Sequence, residues 1–597
     1  MADTTLSEYQ AKLRQLQAAV EHARLSQHLI LGSIAVAIAL ALALWFLGSA
    51  RRVIPAWCAL MPVPILFGAG RRFAKNRSAW RRLLRLQASY EGGLARLEDR
   101  WAGTGKTGEE FLPPDHACGP GLNVVGAGSL FELLCTARTG IGQRRLAEYL
   151  LDQPEDPQQH ERQQAVRELT TDKTLREDIA VLGRFDFRES TWETFSEWLG
   201  VPDAPASRLV RLIALVSSTV TASLILALLV TSIPPMQILR WLPGPLLLNA
   251  VIAFEFRRRT RALNHAARRI GLEIGVLREG IELIGRRKFA AAKLVAIQNG
   301  LGGGRAADAL RKLERLTNAL GDCDRELFIL PARLVIARTQ LCLAIEDWKR
   351  RHGPHLENWI AHWAEFEALA AISGYAYEHP EDVFPEFSDG GALFDASAMG
   401  HPLLPAGACV RNDVRLGPDR RFCIVSGSNM AGKSTLLRAI GLNAVLAYAG
   451  APVRAASLRL SSLTVCASLS IVDSLSDGKS KFLAEVERLR RTLELARLPR
   501  PVLFLIDEIL SGTNSRDRRI VSESVVRALG EWGAIGVLTT HDLALTEIAG
   551  LDGTSGVNVH MGSRSRENAM DFDYLVKPGI AGAGNALAIA RMVGIPV

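Results

Sequence analysis

Residues Gly427-Ser428-Asn429-Met430-Ala431-Gly432-Lys433-Ser434 form a G-x-x-x-x-G-K-[ST] loop, which Thr435 continues. It follows an apolar run, Phe422-Cys423-Ile424-Val425, and precedes a helix-like stretch from Thr435 to Leu446. A strand, a glycine loop and a helix in that order make a phosphate cradle. Loop N–H groups and the positive helix N-terminus face the anion, Lys433 supplies a point charge, and the Ser434 hydroxyl can reach Mg²⁺. A second apolar run, Pro501 to Ile506, ends in Asp507-Glu508. A buried parallel strand reads as a continuous apolar run, and acids at its C-terminal end point toward the ligand crevice. Asp507 is placed to hold Mg²⁺, directly or through water, and Glu508 to polarise an attacking water. A third strand, Ala534 to Leu538, leads into Thr539-Thr540-His541-Asp542, where His541 can sense a γ-phosphate or position water. Asp477-Gly478-Lys479-Ser480-Lys481-Phe482 sets small and basic residues before a helix. Ser480 could touch a nucleotide across a subunit boundary, although the same string also reads as an ordinary helix start.

These residues need a frame. The 597 residues are 48% apolar and 22% charged, with a net charge of +9. A chain of that length holds several domains. Mean hydropathy is slightly positive despite the charge, which points to soluble parts joined to very apolar segments. The positive charge allows contact with nucleic acid or anionic lipid without choosing between them. The cysteines are scattered, with no C-x-x-C pair and no Cys/His ligand cluster. Neither a disulfide framework nor a zinc site is expected, and a reducing compartment fits.

Leu29 to Leu47 is 19 residues without a charge, long enough to cross a bilayer. Val53 to Gly70 adds a run of 18 with Pro55, Pro62 and Pro64. Leu212 to Ile233 is a run of 22, and the shorter Trp241 to Phe254 contains Pro243 and Pro245. Arg/Lys clusters at 71–77 and 257–261 exceed Arg51-Arg52 and Arg240 in the turns. By the positive-inside tendency, the N-terminus, the middle region and the C-terminal part face the cytoplasm. Two transmembrane hairpins, 28–72 and 209–256, meet that requirement. The first run is too long, and too closely followed by a second, for a cleaved signal peptide. Buried core helices are the competing reading, and the fourth run could be re-entrant.

Between the hairpins the chain reads as helical. Residues 1–27 form a short amphipathic helix, and 73–128 a helix with a Gly- and Pro-rich linker. Residues 129–208 and 257–376 form a helical core and lever. Leu310, Leu313, Leu316 and Leu320 recur at helical spacing, so this helix buries one face. A long helix after Pro331 is expected to stop near Arg351, with a separate helix at 356–372. Residues 377–597 form the α/β domain, and no internal repeat is visible.

Gly427 to Thr435, as GSNMAGKST, resembles the phosphate loop of the MutS mismatch-repair ATPases, where Asn and Met inside the loop are distinctive. Asp507 to Asp517, as DEILSGTNSRD, resembles that family's acidic strand end and following turn. Asp473 to Glu485, as DSLSDGKSKFLAE, resembles its signature segment, and Thr540-His541-Asp542 its histidine switch. Asn558-Val559-His560 and Pro578 to Pro596, with GNALAIARMVGIP, resemble its C-terminal stretch. Upstream, Gly400-His401-Pro402-Leu403-Leu404 resembles the start of its ATPase domain, and Ser129 to Leu169 the start of its helical core.

The resemblance implies an α/β P-loop NTPase domain of ABC/MutS-like type at the C-terminus. An all-α core and lever, carrying two transmembrane helical hairpins, precedes it. It implies an ATP hydrolase with ATP on Gly427–Thr435 and Mg²⁺ on Ser434 and Asp507. Glu508 activates water, His541 reports the γ-phosphate, and Ser480 approaches the partner's nucleotide in a homodimer with composite sites. A bacterial inner membrane fits the family and the charge bias.

The chain also departs from the family. Mismatch-recognising members begin with a DNA-reading domain whose Phe-x-Glu motif wedges a ring beside the mispaired base. A transmembrane hairpin occupies that territory here. Phe384-Pro385-Glu386 has the spacing but lies in a loop before the ATPase domain, and Phe366-Glu367 has no gap. The stretch from Arg257 to Trp363 leaves little room for the family's DNA-clamping insertion. Cys409 and Val410 stand where the family tends to place an adenine-stacking aromatic. The chain stops at Val597, shortly after Gly594-Ile595-Pro596, so a reduced dimerising helix and no nuclease-like extension are expected. Three functions stay open: a membrane-anchored ATPase switch, a DNA-binding mismatch-repair-type protein, and an ABC-like transport component. Few polar residues within the spans argue against the last.

Overall fold

The computed structural model describes residues 2–581, apart from 50–54, 56–57, 59–60, 114–115, 119, 153–157, 184–199, 201–206, 231–232, 429, 470–480, 512, 552–554 and 567–568. Two long helices form an N-terminal arm: α1 (Ala2–Ser49) and α2 (Val63–Leu97). The polar start and the first apolar run share one helix in α1, because no proline separates them. The described end of the second apolar run opens α2, with prolines at its start, where a missing N–H costs nothing. The pair runs antiparallel. Tyr9 meets Tyr90 edge-on at 5.0 Å, and Asn76 Nδ2 donates to Ala23 O at 3.0 Å.

The helical core comprises α3 (Leu130–Leu134), α4 (Gly140–Leu151), α5 (Gln158–Thr171) and α6 (Lys173–Ala180). Ser129, Thr139 and Asp172 cap α3, α4 and α6 by accepting from backbone N–H groups of the first turn. Helices α7 (Arg208–Val230), α8 (Pro235–Leu239) and α9 (Pro243–Glu255) follow. Next come α10 (Arg257–Gly285), α11 (Ala292–Gly300), α12 (Gly303–Asp322), α13 (Glu326–Leu334) and α14 (Ala337–Glu378). Leu310, Leu313 and Leu320 of α12 are buried, on the face their spacing marks. Among the described residues, three helical segments are long and apolar enough to cross a membrane: Thr4–Leu47, Leu209–Leu228 and Pro235–Glu255.

One expectation fails at α14. The sequence reading ended a helix near Arg351 and began another at 356, but a single helix of 42 residues runs through Pro354. An interior proline costs about 3 kcal/mol. Trp348, Leu356, Trp359, Ile360 and Trp363 are all buried around it. Each buried large side chain contributes roughly 1.5–3 kcal/mol, so packing outweighs the lost bond.

Other elements dock on α14 through named pairs. Arg96 of α2 makes two 2.7 Å bonds to Glu378, whose side chain is almost fully buried. Lys293 and Tyr149 reach Glu365 at 2.7 and 2.8 Å. Trp348 Nε1 donates to Ala309 O at 2.7 Å. Glu367 accepts from the Arg138 N–H at 3.1 Å and from the Thr139 hydroxyl.

The C-terminal part contains strands β1 (Glu386–Phe387), β2 (Phe394–Met399), β3 (Asn412–Leu416), β4 (Phe422–Ser426), β5 (Ser457–Leu460) and β6 (Thr464–Ser468). Strands β7 (Val502–Ile506), β8 (Ile535–Thr540), β9 (Gly556–Arg566) and β10 (Ala569–Pro578) complete it. Helices α15 (Lys433–Ala449), α16 (Lys481–Ala496) and α17 (Ser515–Glu531) connect them. A small sheet has the order β1-β5-β2-β3, and the main one β10-β9-β4-β8-β7-β6. In the main sheet every pairing is parallel except β10 with β9.

Successive side chains of β4 and β7 enter opposite cores. Cys423, Val425, Leu503 and Leu505 pack with Leu437 and Ile440 of α15, while Phe422, Ile424, Phe504 and Ile506 pack with Leu489, Val525 and Leu529 of α16 and α17. A strand covered on both faces has no polar side to show, which is why these runs are continuously apolar.

Burial raises the Glu367 carboxyl to about 7, against the opposing bonds from Thr139 and Arg138. A carboxyl raised on folding favours the protonated native state. Its contribution is fully present below about pH 4.5 and is lost as pH rises through about 7. Glu367→Gln is therefore expected to gain about 3 kcal/mol relative to wild type between about pH 4.5 and pH 8. Chemical denaturation of both proteins across that range checks this, and parallel curves would contradict it.

Candidate functional site

Strands β4, β8 and β7 are parallel neighbours, so their C-terminal ends lie side by side at one sheet edge. Three segments distant in sequence meet there: the loop after β4, Asp507-Glu508 after β7, and His541 after β8. Ligands of open α/β sheets bind at this edge.

The loop has the shape its glycines permit. Gly427 has φ +153°, and a Cβ there would stand 2.5 Å from the Met561 carbonyl oxygen of β9. Gly432 has φ +92°, in the left-handed region, with the Tyr574 ring 3.0 Å from where a Cβ would sit. Lys433 opens α15 and is only 4% exposed. Its Nζ donates to the carbonyl oxygens of Gly427 and Ser428 at 2.8 and 2.9 Å, and lies 4.0 Å from Glu508 Oε1. Burial lowers the Lys433 pKa, and the Glu508 and Asp507 carboxylates oppose that shift. Ser428 and Ser434 are half-buried, Ala431 is buried, and Met430 and Thr435 are exposed. Asn429 and Ser480 lie outside the described residues, as do 473–479 of the signature segment and 582–596 of the C-terminal stretch.

The acidic turn is held from several sides. The Asp507 N–H donates to Ser468 O at 2.9 Å. The Thr539 hydroxyl donates to Asp507 Oδ1 at 2.6 Å and accepts from the Glu508 N–H at 2.9 Å. Glu508 has φ +48° and Leu510 φ +52°. Left-handed backbone costs a non-glycine residue about 1–2 kcal/mol, so the contacts must over-determine it. They do: the Leu510 N–H donates to the buried Glu485 carboxylate, and Arg518 Nε donates to Leu510 O at 3.0 Å. Arg518 Nη2 also donates to Ser511 O and Thr513 O, and Arg518 Nη1 lies 3.6 Å from Asp542 Oδ2 beyond β8. The result turns Glu508 toward both neighbours, with His541 Nδ1 3.5 Å from its Oε1.

The loop, Lys433, Asp507, Glu508 and His541 thus meet at one sheet edge, with Ser434 next to Lys433 in the first turn of α15. Sequence reasoning missed Thr539, Glu485 and Arg518, which hold the acidic turn in place. A threonine ending a fully apolar strand was the available signal for the first. It also missed Tyr574. Cys409 accepts from the His401 N–H at 3.1 Å, whereas the aromatic flanking the loop comes from β10, with Tyr574 at φ +54° and its ring 6.1 Å from Phe572.

Chemically, this edge offers a cation, a hydroxyl, two carboxylates and a glycine cradle. Among the described residues, no group of three or more His, Cys, Asp and Glu could hold a metal ion. A divalent ion here would take Ser434 and Asp507 and fill its remaining positions with ligand oxygens and water. That arrangement suits Mg²⁺, which keeps waters and uses one or two carboxylates with substrate phosphates.

Residues 423–597 match the family model for MutS domain V. The chain is 29% identical over 299 residues to DNA mismatch repair protein MutS 1 of Halobacterium salinarum, covering 48% of this chain and 34% of that protein. It is 30% identical over 295 residues to DNA mismatch repair protein MutS of Thermus thermophilus, covering 49% and 35%. To Endonuclease MutS2 of Thermus thermophilus it is 34% identical over 207 residues, covering 34% and 27%. The chain spans about a third of the length of the MutS relatives it matches. These matches support MutS-family membership.

Thr539→Val would strip one bond from the Asp507 carboxylate and one from the Glu508 N–H. It is expected to destabilise the domain by about 1–3 kcal/mol. Thr539→Ser, which keeps the hydroxyl, should lose clearly less. Denaturant melts of the three proteins decide it, and equal losses for Val and Ser would contradict the hydroxyl's role.

Proposed function

We propose that this chain is a membrane-anchored, MutS-type ATPase that binds and hydrolyses ATP to switch its helical arms. The observation that carries it is the convergence on Glu508, with Lys433 at 4.0 Å and His541 at 3.5 Å from one carboxylate oxygen. ATP lies along Gly427–Thr435, its phosphates on loop N–H groups and the N-terminus of α15. Lys433 leaves the Gly427 and Ser428 carbonyls for phosphate oxygens, a small movement of a charge already in place. Ser434 and Asp507 would hold Mg²⁺, which would neutralise phosphate charge. Glu508 orients the attacking water and takes up its proton, and His541 beside it reports the γ-phosphate. Thr539 holds Asp507 and Glu508 in mutual register.

The arms follow from α14. It meets α2 through Glu378 and α7 through Asp347, which lies 3.1 Å from Arg211. A change at the ATP site would reach both apolar segments through one rigid helix. The segments Thr4–Leu47, Leu209–Leu228 and Pro235–Glu255, with the second run at 53–70, support membrane anchoring. The arginine clusters support a cytoplasmic N-terminus and ATPase domain in a bacterial inner membrane. A homodimer, with Ser480 approaching the partner's nucleotide, completes the reading.

A second reading, ATP-driven action on DNA, is favoured by relatives named as DNA mismatch repair proteins and by the net charge of +9. The test is ATP turnover by full-length protein with Mg²⁺, alone and with perfect, mismatched or branched DNA. Lys433→Ala is expected to lose ATP binding. Glu508→Gln is expected to keep binding and lose about 10²–10⁴-fold in turnover. Wild-type turnover in either variant would overturn the ATPase reading. Stimulation by one DNA structure, falling steeply with salt, would establish the second reading.

A further inference from the structure

Helices α13 and α14 meet at 73°, with Val335 and Ile336 between them. Ile336 has φ +43°, an unfavourable conformation for a β-branched side chain. It is buried in a small cluster with Ala214 of α7 and Ile252 of α9. A broken helix leaves carbonyls without intrahelical donors, and here side chains of the apolar hairpin supply them. Asn249 Nδ2 donates to Leu334 O at 2.9 Å, and Ser218 Oγ donates to Val335 O at 2.8 Å. Gln340 Nε2 in turn donates to Ser218 Oγ at 2.6 Å, and Asn249 Nδ2 also reaches Thr221 Oγ1 at 3.1 Å.

The position of these donors is informative. Ser218 lies halfway along Leu209–Leu228, and Asn249 lies inside Pro235–Glu255. In water a broken helix needs no such partners. At membrane depth it must find them in protein. The Arg211–Asp347 pair, 3.1 Å apart, fixes the level at which α7 and α14 leave the polar side. From Asp347 back to Ile336 the helix rises about 16 Å at 1.5 Å per residue, roughly half the hydrocarbon thickness. Beyond the break, α13 leaves Phe328 and Leu330 exposed, beside the exposed apolar faces of α7 and α9. Its charged residues, Glu326 and Arg333, stand toward its ends.

We propose that Phe328–Ile336 is a re-entrant element, inserted in the bilayer beside the 209–255 hairpin, with Phe328 and Leu330 against lipid acyl chains. This rests on the reading of that hairpin as membrane-embedded. Ser218 and Asn249, otherwise out of place in apolar helices, satisfy the re-entrant backbone, and Thr221 accepts a second bond from Asn249.

The test is spin-label depth measurement on full-length protein in phosphatidylglycerol/phosphatidylethanolamine vesicles. Cys58, Cys135 and Cys409 are replaced by serine, leaving the buried cysteines in place. Single labels are then placed through Leu330→Cys, Phe328→Cys, Leu247→Cys in the hairpin and Glu357→Cys on the polar part of α14. The expected result is collision with oxygen in excess of a nickel chelate at 330, 328 and 247, and the reverse at 357. Oxygen excess at 247 with nickel excess at 328 and 330 would overturn the re-entrant element and leave the hairpin intact. Nickel excess at 247 as well would overturn both.

Discussion

The C-terminal domain is arranged around a buried ammonium. Lys433 is almost wholly removed from water, and a charge in that position survives only with partners. It has four: two loop carbonyls below 3 Å, the Glu508 carboxylate at 4.0 Å, and the charge of Asp507. Those partners arrive from separate parts of the chain, so their meeting requires β4, β8 and β7 to be parallel neighbours. It requires glycine at 427, because β9 passes within 2.5 Å of where a side chain would begin. It also requires Glu508 in a left-handed conformation, which Thr539 holds from the central strand. The strain at Glu508 and the desolvation of Lys433 are complementary costs, each offset by the same cluster.

The second organising element is mechanical. Helix α14 would be about 63 Å long at 1.5 Å per residue, and it touches the arm, the helical core and the 209–255 hairpin. Its N-terminal end is wedged into the α7/α9 hairpin, and its C-terminal end is clamped by Arg96 and Tyr9 of the arm. Between them, Glu365 and Glu367 bind α4, α11 and the turn before α4. Near the end of the helix Tyr375 donates to Asp382 at 2.7 Å, and just beyond it Val383 pairs with Val453 of the C-terminal α/β domain. Rigidity along this path is what would let a change at one sheet edge be felt at both apolar arms.

The site was legible in the sequence because its chemistry is local. A glycine loop, two acids at a strand end and a histidine after the next strand each carry their own context, and strand burial makes each run continuously apolar. What was not legible depends on tertiary contact. Thr539, Glu485 and Arg518 act on backbone groups 25 to 31 residues away or across a turn, and no spacing announces that. The expected helix stop near Arg351 fails because the tryptophans packed around Pro354 outweigh its local penalty, and no local pattern shows that packing. The arm was split at residue 27 because composition changes there, although a helix can change composition without ending. Ser218 and Asn249 are among the few polar residues in the apolar runs, and only the structure shows the break they satisfy.

The account makes Lys433 a charge held in reserve for a phosphate. The most direct measurement is a structure of the full-length protein with a non-hydrolysable ATP analogue and Mg²⁺. The account predicts phosphates along Gly427–Thr435, with Lys433 Nζ moved from the Gly427 and Ser428 carbonyls onto phosphate oxygens and Glu508 facing the terminal phosphate. An analogue bound elsewhere, or none bound while Lys433 stays on those carbonyls at saturating concentration, would contradict it.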